Sequence, residues 1–237
     1  MASPSQEILN ACISGDATVL QRLLSANNLQ NSDPVYRDSP SIPPPPASSM
    51  LTAAITHGHV DVVSLILETY PGRKIQFSSE TITSLLQYPN LDILQVLYGY
   101  DPYVTSFEWD SHTATFVTKA CEQSPEKITP LLMWLIEHDA DMEGGHFPQT
   151  LCRAIEGGQT LGVIKAMVKK GARVSTLAMR QAVVFERIDV INFLIARGLK
   201  ADGDSDAYIR DEANKTRNRE VIETVQEWTS SKRCVVS

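Results

Sequence analysis

The chain has no excess of positive charge, no apolar run approaching the ~20 residues of a membrane span, and no C-x-x-C pair. Its formal net charge is −7. Lys and Arg are not clustered, which argues against a surface that tracks a nucleic-acid backbone, so no nucleic-acid partner is expected. The opening MASPSQEILN lacks the basic and apolar regions of a secretory signal. The expected location is therefore cytoplasmic, and the sequon Asn214-Lys215-Thr216 is expected to stay unglycosylated. Four cysteines are present, Cys12, Cys121, Cys152 and Cys234. The first three sit in apolar, helix-like surroundings and are expected as buried thiols of a reducing compartment. Nucleophile elbow, P-loop, dinucleotide fingerprint and HExxH are all missing. No catalytic residue, metal ligand or cofactor is assigned.

What is present is a period. The stretch from Ser49 to Glu68, SMLTAAITHGHVDVVSLILE, reads as a short helix with small residues, a polar glycine turn, and a second helix too apolar to face solvent on all sides. The phrase recurs in EILNACISGDATVLQRLLSANN, TITSLLQYPNLDILQVLYGYDP, QTLCRAIEGGQTLGVIKAMVKKGARV and LAMRQAVVFERIDVINFLIARGLKAD. A more polar copy is YIRDEANKTRNREVIETVQEW, and a stretched one runs from HTATFVTKACEQ into PLLMWLIEHDADM. The turns align at Gly15, Gly58, Pro89, Gly158, Glu186 and Arg217, with regular spacings of 28 to 31 residues. Self-similarity at this period is the signature of a helical repeat array.

Leu51 to Leu67, LIEHDAD (Leu135 to Asp141) and VKKGARV (Val168 to Val174) carry a further likeness. They resemble the ankyrin-repeat pattern, T-P-L-H-x-A-A-x-x-G-H-x-x-V-V-x-L-L-L-x-x-G-A-D, and the chain is similar to that family over nearly its whole length. No unit has an intact T-P-L-H, and glycine is replaced at several turns. The resemblance implies an all-α, ankyrin-like helix-turn-helix solenoid of about six to seven repeats with degenerate ends. It would occupy residues 1–229 as one domain, followed by a flexible tail, 230–237. In such a fold Gly58 is the inter-helix turn and His59 hydrogen-bonds neighbouring backbone, while His57 ends the first helix in solvent. With no second His/Cys pair at suitable spacing, the two histidines read as architecture and not as zinc ligands.

Function is then sought where the period breaks. Residues 30–49 include four consecutive prolines, which cannot be helix or central strand and imply an extended inserted loop. Pro40, Pro43 and Pro46 give PxxP spacing, a weak SH3- or WW-type signal. Residues 98–112 form an aromatic insertion: Tyr98, Tyr100, Tyr103, Phe107 and Trp109 are five of the chain's sixteen Phe, Tyr and Trp residues. The acidic stretch His138 to His146 lacks EF-hand spacing and reads as an ordinary loop. The resemblance implies a non-catalytic interaction module or adaptor that binds another protein. Aromatics dominate binding hot spots, so the expected partner-binding residues are Tyr100, Tyr103, Phe107, Trp109, His112, Arg153, Arg180 and Phe185, with His57 and Glu156 on the same first-helix side. An alternative reading closes Tyr103, Phe107, Trp109, His112, Arg153 and Arg180 into a pocket for a small molecule or for enzymatic chemistry. Finally, Cys234-Val235-Val236-Ser237 fits the prenylation pattern, with Ser favouring farnesyl on Cys234. One prenyl chain implies reversible attachment to a membrane surface.

Overall fold

The structure, a computed structural model, describes residues 3–26, 45–72, 75–109, 114–142, 150–200 and 203–230, with side chains from Ser205 onward in the last stretch. The chain divides into two compact units, Met1–Trp109 and Asp110–Ser237, at the end of the aromatic stretch. Every regular element among the described residues is helical.

The first unit holds α1 (Pro4–Ser14), α2 (Ala17–Ala26), α3 (Ala47–Thr56), α4 (Val60–Thr69), α5 (Ser79–Gln87) and α6 (Leu91–Tyr100), followed by a 3-10 turn, Pro102–Ser106. Like packs on like: α3 lies between α1 and α5, and α4 between α2 and α6. The second unit holds α7 (Phe116–Cys121), α8 (Pro125–Glu137), α9 (Thr150–Glu156), α10 (Leu161–Lys169), α11 (Thr176–Val184), α12 (Ile188–Ala196), α13 (Gly203–Thr216) and α14 (Arg219–Ser230). Its first-helix row is α7, α9, α11, α13, and its second-helix row is α8, α10, α12, α14. The described helices thus make seven helix-turn-helix pairs, three in one unit and four in the other.

The rows follow from local chemistry. First helices start at a hydroxyl: Ser3, Ser78, Thr115 and Ser175 each accept a hydrogen bond from the backbone N–H three residues on. They end in a small residue followed by an apolar or thiol one: Ala11-Cys12, Ala54-Ile55, Ala120-Cys121, Ala154-Ile155 and Ala182-Val183, all buried. The alanine lets successive first helices approach closely. Second helices supply the bulk of the core, as with Val62, Val63, Ile66 and Leu67 of α4. Each such side chain contributes about 1.5–3 kcal/mol on burial.

Helix α3 begins at Ala47, inside the expected 30–49 loop, because Pro46 with its fixed φ of −51° sits at the N-cap and leaves the next residues free to start the helix. The prolines of the expected loop before Pro45 lie outside the described residues, as do His112, His146 and Cys234.

Candidate functional site

The turns determine what the helices can present. At five aligned positions the backbone is left-handed: Gly15, Gly58, Gly158, Glu186 and Arg217, with φ between 52° and 75°. The residue that follows reaches to the preceding turn. In the first unit His59 Nε2 lies 2.9 Å from Ile13 O, which can only accept, so this nitrogen carries the proton. In the second unit Gln159 takes the same place and donates to Cys121 O at 3.0 Å and Gln123 O at 2.9 Å. Arg187 donates to Gln159 O at 2.9 Å, and Asn218 to the Glu186 carboxylate at 2.9 Å. Side-chain hydrogen bonds therefore join turn to turn once in the first unit and at three successive turns in the second, with histidine as one of four residue types that serve.

A second relay stands where T-P-L-H is missing. Thr81 Oγ1 lies 2.9 Å from Ser78 Oγ and 3.3 Å from Thr52 Oγ1, joining α5 to α3. In the second unit Thr118 Oγ1 lies 3.0 Å from Thr115 Oγ1 and 3.1 Å from Thr150 Oγ1, joining α7 to α9. Hydroxyls both donate and accept, so the chain is satisfied inside the core. The spacing S/T-x-x-T was the sequence signal for it.

His57 is exposed at the C-cap of α3, with Nδ1 2.9 Å from Ala53 O. The thiols are sequestered. Burial pushes the Cys12 thiol up to about 12, and burial, then the Glu122 charge, raises that of Cys121. Thiolate is the reactive form, so burial disfavours both thiols as nucleophiles. Among the described residues no group of three His, Cys, Asp or Glu side chains is placed to hold a metal ion. No helix among them is long and apolar enough to cross a membrane.

The expected binding residues separate into two groups, one in each unit. In the first unit Tyr100 is a brace: its hydroxyl donates to Tyr70 O at 2.6 Å and accepts from Ile75 N at 3.0 Å, tying both residues to the end of α6. Tyr103, on the 3-10 turn that Asp101 caps, is 72% exposed. Phe107 and Trp109 are half-buried and meet edge to face at 5.0 Å.

In the second unit Arg153 is held by Glu156 at 2.9 Å and lies 3.9 Å from Glu122. Arg180 differs. Its guanidinium carbon stands 4.7 Å over the ring of Tyr208. Its Nε is buried without an acceptor, an omission that costs about 1–3 kcal/mol for a neutral donor and more for a charged one. Helix periodicity puts Leu177, Arg180, Gln181 and Val184 on one side of α11, opposite the buried Ala178, Met179, Ala182 and Val183. Leu177, Val184, Phe185 and Tyr208 are all exposed, at 36%, 40%, 43% and 46%. Between α11 and α13 lies a cleft of about 400 Å³ lined by Thr176, Leu177, Arg180, Ser205, Tyr208 and Ile209. Of the six residues expected to surround a pocket, Arg180 lines this one. Leu177, Ser205 and Tyr208 were not foreseen as site residues. Leu177 and Tyr208 are 31 residues apart, the spacing of the turns at Glu186 and Arg217, and that equality was the available signal.

Helix pairs with a left-handed turn residue, and a following residue that reaches the neighbouring turn, are ankyrin-like in form. No protein-family model matches the chain, and no curated protein matches it. Among solved structures, an ankyrin repeat protein from Leishmania major is similar to it at a TM-score of 0.48 and 11% identity, over 99% of this chain and 85% of that one.

Proposed function

We propose that the chain is a non-catalytic protein-interaction module that binds a partner protein through the first-helix face of its second unit. The carrying observation is the grouping of Leu177, Val184, Phe185 and Tyr208, all exposed, on two neighbouring helices. Single exposed apolar residues are ordinary; several together on one face mark a contact surface. The face is preformed, because α11 and α13 are set by the core beneath them, and a preformed surface pays little ordering entropy on binding. Tyr103 on its capped turn is a second contact region within the first unit. Tyr100 is left out of this role because its hydroxyl is already engaged. Farnesylation of Cys234 belongs to the same proposal: it would hold the module reversibly at a membrane surface, and intact mass of the native protein checks it.

The test is affinity capture with the full chain, wild type beside Tyr208→Ala, Phe185→Ala and Trp109→Ala. Capture of a protein partner that Tyr208→Ala or Phe185→Ala abolishes supports the reading. A co-purifying small molecule with no enriched protein favours a ligand-binding protein in its place.

A further inference from the structure

The same row of helices contains a charge that the fold leaves unanswered. Along the first helices of the second unit, Lys119 pairs with Glu122 at 2.9 Å, Arg153 with Glu156, and Lys215 with Asp211 at 2.7 Å and Glu212 at 3.4 Å, while Arg210 donates its Nε to Asp206 O at 3.3 Å. Arg180 has no such pair among the described residues, and its Nε is buried with no acceptor. Stacking over Tyr208 orients the guanidinium, and its terminal nitrogens, which are not among the buried unpartnered atoms, are left to meet an incoming group. Around it the cleft supplies two alcohol side chains, Thr176 and Ser205, and an apolar floor and lip of Ile209, Leu177 and Tyr208, with no carboxylate in the lining. A planar fork of donors fits a carboxylate in two-point fashion. The apolar lip continues along α11 to Val184 and Phe185, further than a small anion extends.

Resting on the interaction reading above, we propose that the cleft between α11 and α13 receives the carboxylate of an Asp or Glu in a peptide segment of the partner, with an apolar residue beside that acid lying on Leu177 and Tyr208. Charge complementarity selects this occupant: a basic segment would leave Arg180 facing another cation in a partly desolvated cleft, and a purely apolar one would bury the guanidinium unpaired.

The probe is a phage library of random peptides of about twelve residues, panned on the full-length chain as wild type, Arg180→Gln and Arg180→Glu. Peptides selected by the wild type are then synthesised and measured on all three by fluorescence anisotropy. The expected result is enrichment of Asp or Glu next to Leu, Ile or Phe. Affinity should fall about tenfold or more in Arg180→Gln, and selection on Arg180→Glu should turn to Lys or Arg. Arg180 has no acidic partner to orphan, and losing its stack on Tyr208 offsets the relief of its buried Nε, so Arg180→Gln should melt within a few degrees of the wild type. Peptide binding is compared only where each variant is folded. Peptides without an acidic preference, or equal binding by Arg180→Gln, overturn the assignment of Arg180 while leaving the interaction face standing. No enrichment on the wild type above an unrelated protein overturns the interaction reading itself. Glutarate displacing the selected peptides at comparable affinity would show a small-anion site and overturn the peptide assignment.

Discussion

Substituting Gly157 by alanine tests how the second unit is held together. A Cβ at position 157 would run into the carbonyl of Cys121, a backbone atom that cannot swing aside. That carbonyl is also an acceptor for the fully buried Gln159 amide, whose own oxygen has no partner. Forcing one methyl into a packed contact costs about 1–3 kcal/mol, and loosening the Gln159 bonds adds about 1–3 kcal/mol. The lower chain entropy of alanine offsets up to about 1 kcal/mol. The net expectation is about 2–4 kcal/mol of destabilisation, or roughly 5–15 °C in the melting temperature of a chain this size. Gly162→Ala, in α10 of the same unit, is the control: its Cβ would meet only Thr160 Oγ1 at 3.6 Å, an ordinary contact, so it should melt with the wild type or slightly above. Thermal unfolding followed by circular dichroism reads both. A Gly157→Ala protein melting within about 1 °C of wild type would refute the close approach of the two turns.

Further expectations concern other parts of the molecule. Gly15→Ala should destabilise the first unit by about 1–3 kcal/mol, since its Cβ would lie 2.6 Å from His59 Nδ1 at a φ of 75° and would drive the ring off Ile13 O; denaturant unfolding measures it. Arg217→Gly should be neutral or stabilising by up to about 1 kcal/mol, because a left-handed φ of 59° is strained for arginine and open to glycine. The carboxyl of Asp189 is held below the usual range, foremost by its hydrogen bond from Arg187. The folded chain therefore binds that proton less readily than the unfolded one. The resulting stability is present above about pH 4 and is lost as pH falls through the lowered value; in Arg187→Met the NMR titration of Asp189 should rise toward the ordinary aspartate range, with the backbone hydrogen bonds from Val190 and Asp189 still lowering it. Cys12 and Cys121 should resist alkylation at about pH 8 in the folded chain and react on denaturation, as peptide mapping by mass spectrometry would show.

Much of this architecture was legible because its causes are local and periodic. The alignment that placed Glu186 and Arg217 beside Gly15, Gly58 and Gly158 rested on the apolar pattern around them, and all five take the left-handed turn. His59 was legible as architecture because it followed such a turn and had no ligand partners at metal spacing. The hydroxyl relay through Thr81 and Thr118 was hidden, since a threonine among helix residues looks unremarkable until its neighbour 29 or 32 positions away is set beside it. The cleft was half legible. Arg180 was picked out as an exposed first-helix cation, but its partners were sought among the dense aromatics of residues 98–112. The ring beside it belongs to Tyr208, in the most polar copy of the repeat, where a tyrosine among charged residues attracts no notice. Tyr100 was read as a contact because it is aromatic and sits at a break in the period, yet its hydroxyl joins two backbone groups of its own unit.

The most direct test of the interaction face is site-specific photo-crosslinking in cells expressing the full chain. A photoreactive phenylalanine analogue would replace Tyr208 on α13 in one protein and the exposed Lys165, on the second-helix row, in another. The account predicts a discrete adduct with another protein from position 208 that position 165 does not give, reduced when Leu177→Ala is added. Adducts equal from the two positions, or from position 165 alone, would contradict it.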